Sequence, residues 1–157
     1  MSQNVRSRLL DELSTVSRRY VASYALFNQA LADRLGLHPT DLQCLNLLTL
    51  ERQPVTTGRV AELTGLTTGS ATRLVDRLER AGYVVRERDV ADRRRVLVAP
   101  VPERIAEFGR LWERLGGDRS PLFEDLADAE LAVIVRHMRR TVEFHGERIT
   151  RLREGRV

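Results

Sequence analysis

The apolar positions Leu9, Leu10, Leu13, Val16, Tyr20, Tyr24, Phe27, Leu31 and Leu35 recur at intervals that place them on one side of a helix, which predicts a long helix over residues 6–35. Gly36 follows where a helix-ending glycine belongs. Pro39 suits a first helical turn and Asp41 favours the positive end of a helix. A second helix is therefore expected from Pro39 to about Glu51, with Leu42, Leu45, Leu47 and Leu48 inward and Pro54 closing it. Further on, Ile105, Phe108, Leu111, Trp112 and Leu115 share one side of a helix expected over 103–115, stopped by Gly116-Gly117. A last helix over 128–153 carries Leu131, Ile134, Val135, Met138, Val142, Ile149 and Leu152.

The middle of the chain has a denser pattern. Thr56 is a good N-cap for a short helix through about Leu63, and Gly65 supplies a tight turn. Thr67 can cap a second helix whose apolar face is Ala71, Leu74, Val75 and Leu78, with Gly82 at its end. "YVVRER" and "RRVLVA" read as two short strands around a polar tip, Asp89 to Arg93, which makes a hairpin with a long loop. Pro100 and Pro102 end the hairpin and open the next helix. Helix, glycine turn, helix and hairpin is the order of a winged helix-turn-helix. The fold class expected is mainly α with a small β-hairpin wing.

Composition narrows the classes. The chain has 157 residues, 42% of them hydrophobic, enough for one domain with a real core. No apolar run approaches the roughly 18 residues of a membrane-spanning helix. The segment Met1 to Leu13 contains Asp11 and Glu12 and lacks the apolar stretch of a signal peptide, so a cytoplasmic protein is expected. Cys44 is the single cysteine, which excludes an internal disulfide and a cysteine-based zinc site. His38, His137 and His145 lie in unrelated contexts without metal-ligand spacing, and no metal or cofactor is expected. The net charge is +4, and all 26 basic residues are arginine. A GC-rich genome would account for that bias by itself, yet arginine still forks onto phosphate and guanine as lysine does not. Residues 56–98 hold nine arginines against six acids, residues 99–135 four against eight, and residues 136–157 seven against three. A basic centre followed by an acidic stretch suggests one surface made for an anion.

Reading duplex DNA needs a helix with short side chains at its N-terminal end, so that it fits the major groove. The second helix of the central unit has Thr67, Thr68, Gly69, Ser70 and Thr72 there. Its free amides favour a phosphate. Arg73 lies within reach of a guanine edge, and Arg77, one turn on, is expected to touch phosphate. An ordinary solvated helix would tolerate the same residues. The hairpin tip strengthens the DNA reading: Arg93, Arg94 and Arg95 stand side by side next to Asp89 and Asp92. Adjacent arginines repel one another unless an anion satisfies them, and arginine is favoured in a narrow minor groove. An aspartate two residues away is expected to hold such a guanidinium. A solvated loop with weak local ion pairs is the plainer account of the tip.

The run "GRVAELTGLTTGSATRLVDRLERAGYVVRERDVADRRRVLV" resembles the core of the MarR family of transcriptional regulators, and the flanking long helices resemble that family's dimerisation region. The likeness covers nearly the whole chain, and its most specific part is "RLVDRLERAGYV" followed by "DRR". It implies that Asp92 and Arg94 act as the family's wing Asp-x-Arg pair, with Arg94 in the minor groove. It also implies that Thr67, Ser70, Thr72 and Arg73 read or clamp DNA. The expected layout is one domain over 1–157, with a DNA-binding lobe at 39–99 and dimerisation helices at 6–35 and 103–153. Two-fold symmetry then implies a homodimer on a pseudo-palindromic double-stranded site. Relatives continue after the wing with a threonine-capped "LTxxG", whereas this chain has "VAPVPERI", which leaves the start of the next helix in doubt.

The family likeness further implies a small phenolic or lipophilic effector, for which Tyr20, Tyr24, His38, Cys44, Phe108 and Trp112 are the candidates. Aromatics at helical spacing are also ordinary core residues. Cys44 would serve a redox-responsive regulator, but among leucines a buried thiol is inert. A repressor released by its effector is the function expected, with a winged-helix protein-interaction module as the alternative. No nucleophile with its base, phosphate loop or paired acids suggests an enzyme, and no catalytic residue is expected.

Overall fold

The computed structural model describes residues 2–114 and 120–156, which fall into two compact units, 1–108 and 109–157. The first begins with α1 (Ser2–Leu35) and α2 (Pro39–Leu48). Then come β1 (Val55–Thr56), α3 (Thr57–Thr64), α4 (Thr68–Arg80), β2 (Val84–Arg88) and β3 (Val96–Pro100). The helix α5 (Pro102–Arg114) runs across the boundary, and the second unit is completed by a short 3-10 turn at Ser120–Leu122 and α6 (Asp128–Arg153). Gly116-Gly117, expected to stop α5, and Leu115 lie outside the described residues.

The helix boundaries follow the local chemistry. At the end of α1, Gly36 takes a left-handed φ of 66° and the Leu37 amide donates to the Ala32 carbonyl at 2.9 Å. The end of α4 repeats this arrangement with Gly82 at φ 76° and Tyr83 donating to the Leu78 carbonyl at 2.9 Å. These long-reach bonds satisfy carbonyls that a helix end would otherwise strand. The helix α2 ends three residues short of the expected Glu51, at Leu48, with Thr49 as its cap and Leu50 turned out to solvent. Pro54 therefore follows a loop and closes nothing. Val101 settles the start of α5 without a threonine cap: its amide donates to the Tyr83 carbonyl and its carbonyl accepts from Ile105. Pro102, at the first helical position, has no amide to leave unpaired.

The hairpin gains a third strand. The order is β1-β3-β2, all antiparallel, with Val55 opposite Val98 and Val84 to Arg88 opposite Pro100 to Val96. Two residues are too few to carry an alternating pattern, which is why β1 is invisible to periodicity. Leu42, Leu45, Leu48, Val60, Leu74, Val75, Leu78, Val84 and Val98 are all under 3% exposed and form the core beneath α4. Among the described residues of α1 only Leu31 and Ala32 are sealed, and the Asn28 amide donates to the Pro39 carbonyl at 3.2 Å. Val5, Leu9, Leu10, Leu13, Val16, Tyr20 and Tyr24 of α1 remain exposed. On α6 the same holds for Val135, Met138, Val142, Ile149 and Leu152.

Candidate nucleic-acid interface

The helix α4 divides into two faces. Ala71, Leu74, Val75 and Leu78 are completely buried, whereas Thr67, Thr68, Gly69, Thr72 and Arg73 are exposed and Ser70 half so. Thr67 is the N-cap, its hydroxyl accepting from the Ser70 amide at 3.3 Å and donating to the Ser70 hydroxyl at 3.1 Å. The Ser70 hydroxyl in turn accepts from an Arg73 guanidinium nitrogen at 3.3 Å. Thr67, Ser70 and Arg73 are thus linked along one helix edge. Thr72 turns its hydroxyl back to the Thr68 carbonyl at 2.9 Å. No acid occupies the first turn, so nothing on the helix itself neutralises the positive end. A Cβ on Gly69 would meet nothing within 4 Å of the chain, so the fold does not demand glycine there. Thr56 caps α3 through the Arg59 amide, which gives it a structural task.

The wing tip is a built loop. The Asp89 amide donates to the Arg95 carbonyl at 3.1 Å and the Arg95 amide to the Asp92 carbonyl at 2.9 Å. The Asp89 carboxylate accepts from the Ala91 amide at 2.8 Å, and the Asp92 carboxylate from the Arg94 amide at 3.0 Å. The sequence led us to expect Asp92 to hold the Arg94 guanidinium. Instead it fixes the Arg94 backbone, because a carboxylate reaches the amide two residues on with less ordering of long side chains. Arg95 lies 3.7 Å from Asp89 in an ion pair across the loop neck. Arg93 and Arg94 are exposed and enter no side-chain hydrogen bond or ion pair among the described residues.

Two ion-pair systems escaped the sequence reading. Arg77, expected to touch phosphate, is engaged by Asp41 of α2 through Nε at 2.8 Å and a terminal nitrogen at 2.5 Å. Asp41 is 1% exposed, so its charge requires a partner, and Arg77 supplies it. The signal was present: Asp41 shares the i, i+3, i+4, i+7 stripe of Cys44, Leu45 and Leu48, which places a carboxylate on a buried face. Arg86 of β2, on the same strand face as buried Val84, bonds Asp76 at 2.6 Å and also Glu79. The wing is thereby tied to the second half of α4.

The effector candidates lie on α1, on α5 and on or at the start of α2. Tyr20 and Tyr24 stand a turn apart on α1, 56% and 46% exposed, and Phe108 and Trp112 are half-buried a turn apart on α5. His38 is the N-cap of α2, its Nδ1 accepting from the Thr40 amide. Cys44 is wholly buried; burial, reinforced by the Asp41 charge, pushes its thiol from 9.0 up to about 12.

A capped polar helix start, a core-facing opposite side and an arginine-tipped antiparallel hairpin on one small lobe define a winged helix-turn-helix protein of the DNA-binding type. Comparison with known proteins narrows the class. The MarR family model matches residues 30–95, from the end of α1 to the wing tip. An uncharacterized HTH-type transcriptional regulator of Bacillus subtilis, YcgE, is 37% identical over 153 residues, covering 98% of this chain and 99% of that protein. A MarR family protein from Bacillus stearothermophilus is similar in fold, with a TM-score of 0.67 at 24% identity over 89% of this chain and 97% of its own. The apo form of wild-type MarR from E. coli gives 0.60 at 19% identity over 82% and 95%. The chain belongs to the MarR family of transcriptional regulators, a family that regulates through DNA. Among the described residues no helix is long and apolar enough to cross a membrane.

Proposed function

We propose that the chain is a homodimeric, sequence-specific reader of double-stranded DNA that represses transcription and is released by a small phenolic or lipophilic effector. One observation carries the DNA reading: the exposed, acid-free start of α4 and the ion-pair-free Arg93 and Arg94 belong to the same lobe. The helix start enters the major groove, where Thr68, Ser70, Thr72 and Arg73 meet base edges and phosphate. Arg94, with Arg93 beside it, enters the adjoining minor groove. Arg95 contributes charge while closing the loop with Asp89. Repression is the direction assigned, since a protein seated in neighbouring grooves denies that stretch of duplex to others.

The exposed apolar faces of α1 and α6 support association of two copies. Patches of this kind are uncommon on a chain that works alone. Each Å² removed from water contributes roughly 25 cal/mol. Residues 6–35 and 103–153 are assigned to this association and 39–99 to the DNA-binding lobe. Tyr20, Tyr24, Phe108 and Trp112 supply aromatic surface suited to the effector. His38 and Cys44 are weaker candidates, being occupied as a cap and sealed in the core.

Binding to duplex fragments over a range of salt tests the reading. Affinity should fall steeply as salt rises, because several phosphates are neutralised. Sedimentation at micromolar concentration should give the mass of two chains. Salt-independent or absent binding contradicts the DNA reading, and a stable 17.9 kDa species contradicts the dimer.

A further inference from the structure

The ion pair between Asp41 and Arg77 has consequences for DNA reading, given the function proposed above. We infer that Asp41 and Arg77 are positioning residues: the pair sets the angle at which α4 presents Ser70 and Arg73 to a duplex, and acts through the helix rather than through a phosphate contact.

The face of α4 that meets the core is purely apolar, through Ala71, Leu74, Val75 and Leu78. Apolar contact is non-directional and by itself resists rolling of the helix only through shape. A bidentate guanidinium–carboxylate pair fixes distance and plane together. Arg77 lies four residues after Arg73 and seven after Ser70, on the same helix stripe, so the pin sits in line with the reading residues. A side chain sits about 6 Å from its helix axis, so a roll of about ten degrees moves it by about 1 Å. That displacement spoils a two-point hydrogen bond to a base edge.

The anchor on the other side is firm. Asp41 stands in the first turn of α2, is 1% exposed, and accepts from Arg77 on both oxygens. It bridges 36 residues of sequence, joining the helix that precedes the reading unit to the reading helix itself. Arg86 fastens the neighbouring Asp76 and Glu79 from β2, so α4 is held from two sides. Were Arg77 to swing out to phosphate, the buried carboxylate would be stranded.

The test uses the full-length chain and the duplex that wild-type protein selects from a random pool. Arg77→Met, Asp41→Asn and Arg77→Lys are titrated against that duplex and a scrambled one at several salt concentrations, below each variant's melting temperature. Arg77→Met and Asp41→Asn should each lose about tenfold in affinity for the selected duplex, the scale of one good base contact. Their affinity for the scrambled duplex and their salt slope should match wild type, and Arg77→Lys should recover part of the loss. If Arg77→Met alone lost affinity and its salt slope fell by about one phosphate, Arg77 would be a direct contact and the inference overturned. Variants that melt lower yet bind as wild type would make the pair a stabilising feature only, which also overturns it. Should Arg77→Met not fold, Asp41→Asn and Arg77→Lys decide alone. Wild-type protein that bound no duplex would remove the DNA reading and this inference with it.

Discussion

Arg94 and Arg73 carry their charge outward for different reasons. The Arg94 backbone is pinned by the Asp92 carboxylate while its guanidinium enters no ion pair among the described residues, whereas Arg73 leans on the Ser70 hydroxyl of its own helix. Removing Arg94 should weaken binding to the selected duplex by about 1–3 kcal/mol and flatten the salt dependence, whatever the sequence bound. Removing Arg73 should cost a similar amount but relax preference at one base position. Equilibrium titration of Arg94→Ala and Arg73→Ala against single-base variants separates the two, and unchanged affinity in Arg94→Ala would take the wing out of the account. Cys44 is the opposite kind of residue. Its thiol, held near 12 by burial and the Asp41 charge, is almost wholly protonated at pH 8. A folded-state value above the unfolded 9.0 means that the neutral thiol adds stability below about pH 9, lost as pH climbs toward 12. Thiol labelling of native protein at pH 8 should run far slower than in urea, because a wholly buried, protonated thiol reacts only when the fold opens. Comparable rates would reopen a redox role.

At the scale of elements, the punctuation was the most readable part. Gly36, Gly65 and Gly82 mark turns, and Thr56 and Thr67 cap helices, because each task needs a residue type that the sequence displays openly. Thr67→Ala should destabilise the free protein by about 1 kcal/mol by stranding the Ser70 amide, read as a shifted denaturation midpoint without DNA. An unchanged midpoint would mean that the capping bond adds nothing. What stayed hidden depended on pairing across distance. The two-residue β1 shows no period until β3 lies beside it. The partner of Asp41 lies 36 residues away, and nothing in the spacing of Arg77 tells its fork to turn inward rather than to phosphate. Asp92 has the charge of a guanidinium partner, but its short side chain is better suited to a local amide. The exposed face of α4 was legible since the buried residues Ala71, Leu74, Val75 and Leu78 dictate what is left outside.

For the whole molecule, the charge asymmetry and the exposed apolar helices express one design. Residues 56–98 carry the basic excess and contain both elements proposed to read DNA, while α1 and α6 hold exposed apolar surface. Joining two copies through those helices would display two reading helices related by two-fold symmetry. Selection of bound fragments from a pool of random duplexes tests this most directly. The account predicts an inverted repeat whose half-sites are centred about one helical turn apart, 10 to 10.5 base pairs. A pool that showed no enrichment, or converged on a single asymmetric half-site, would contradict it.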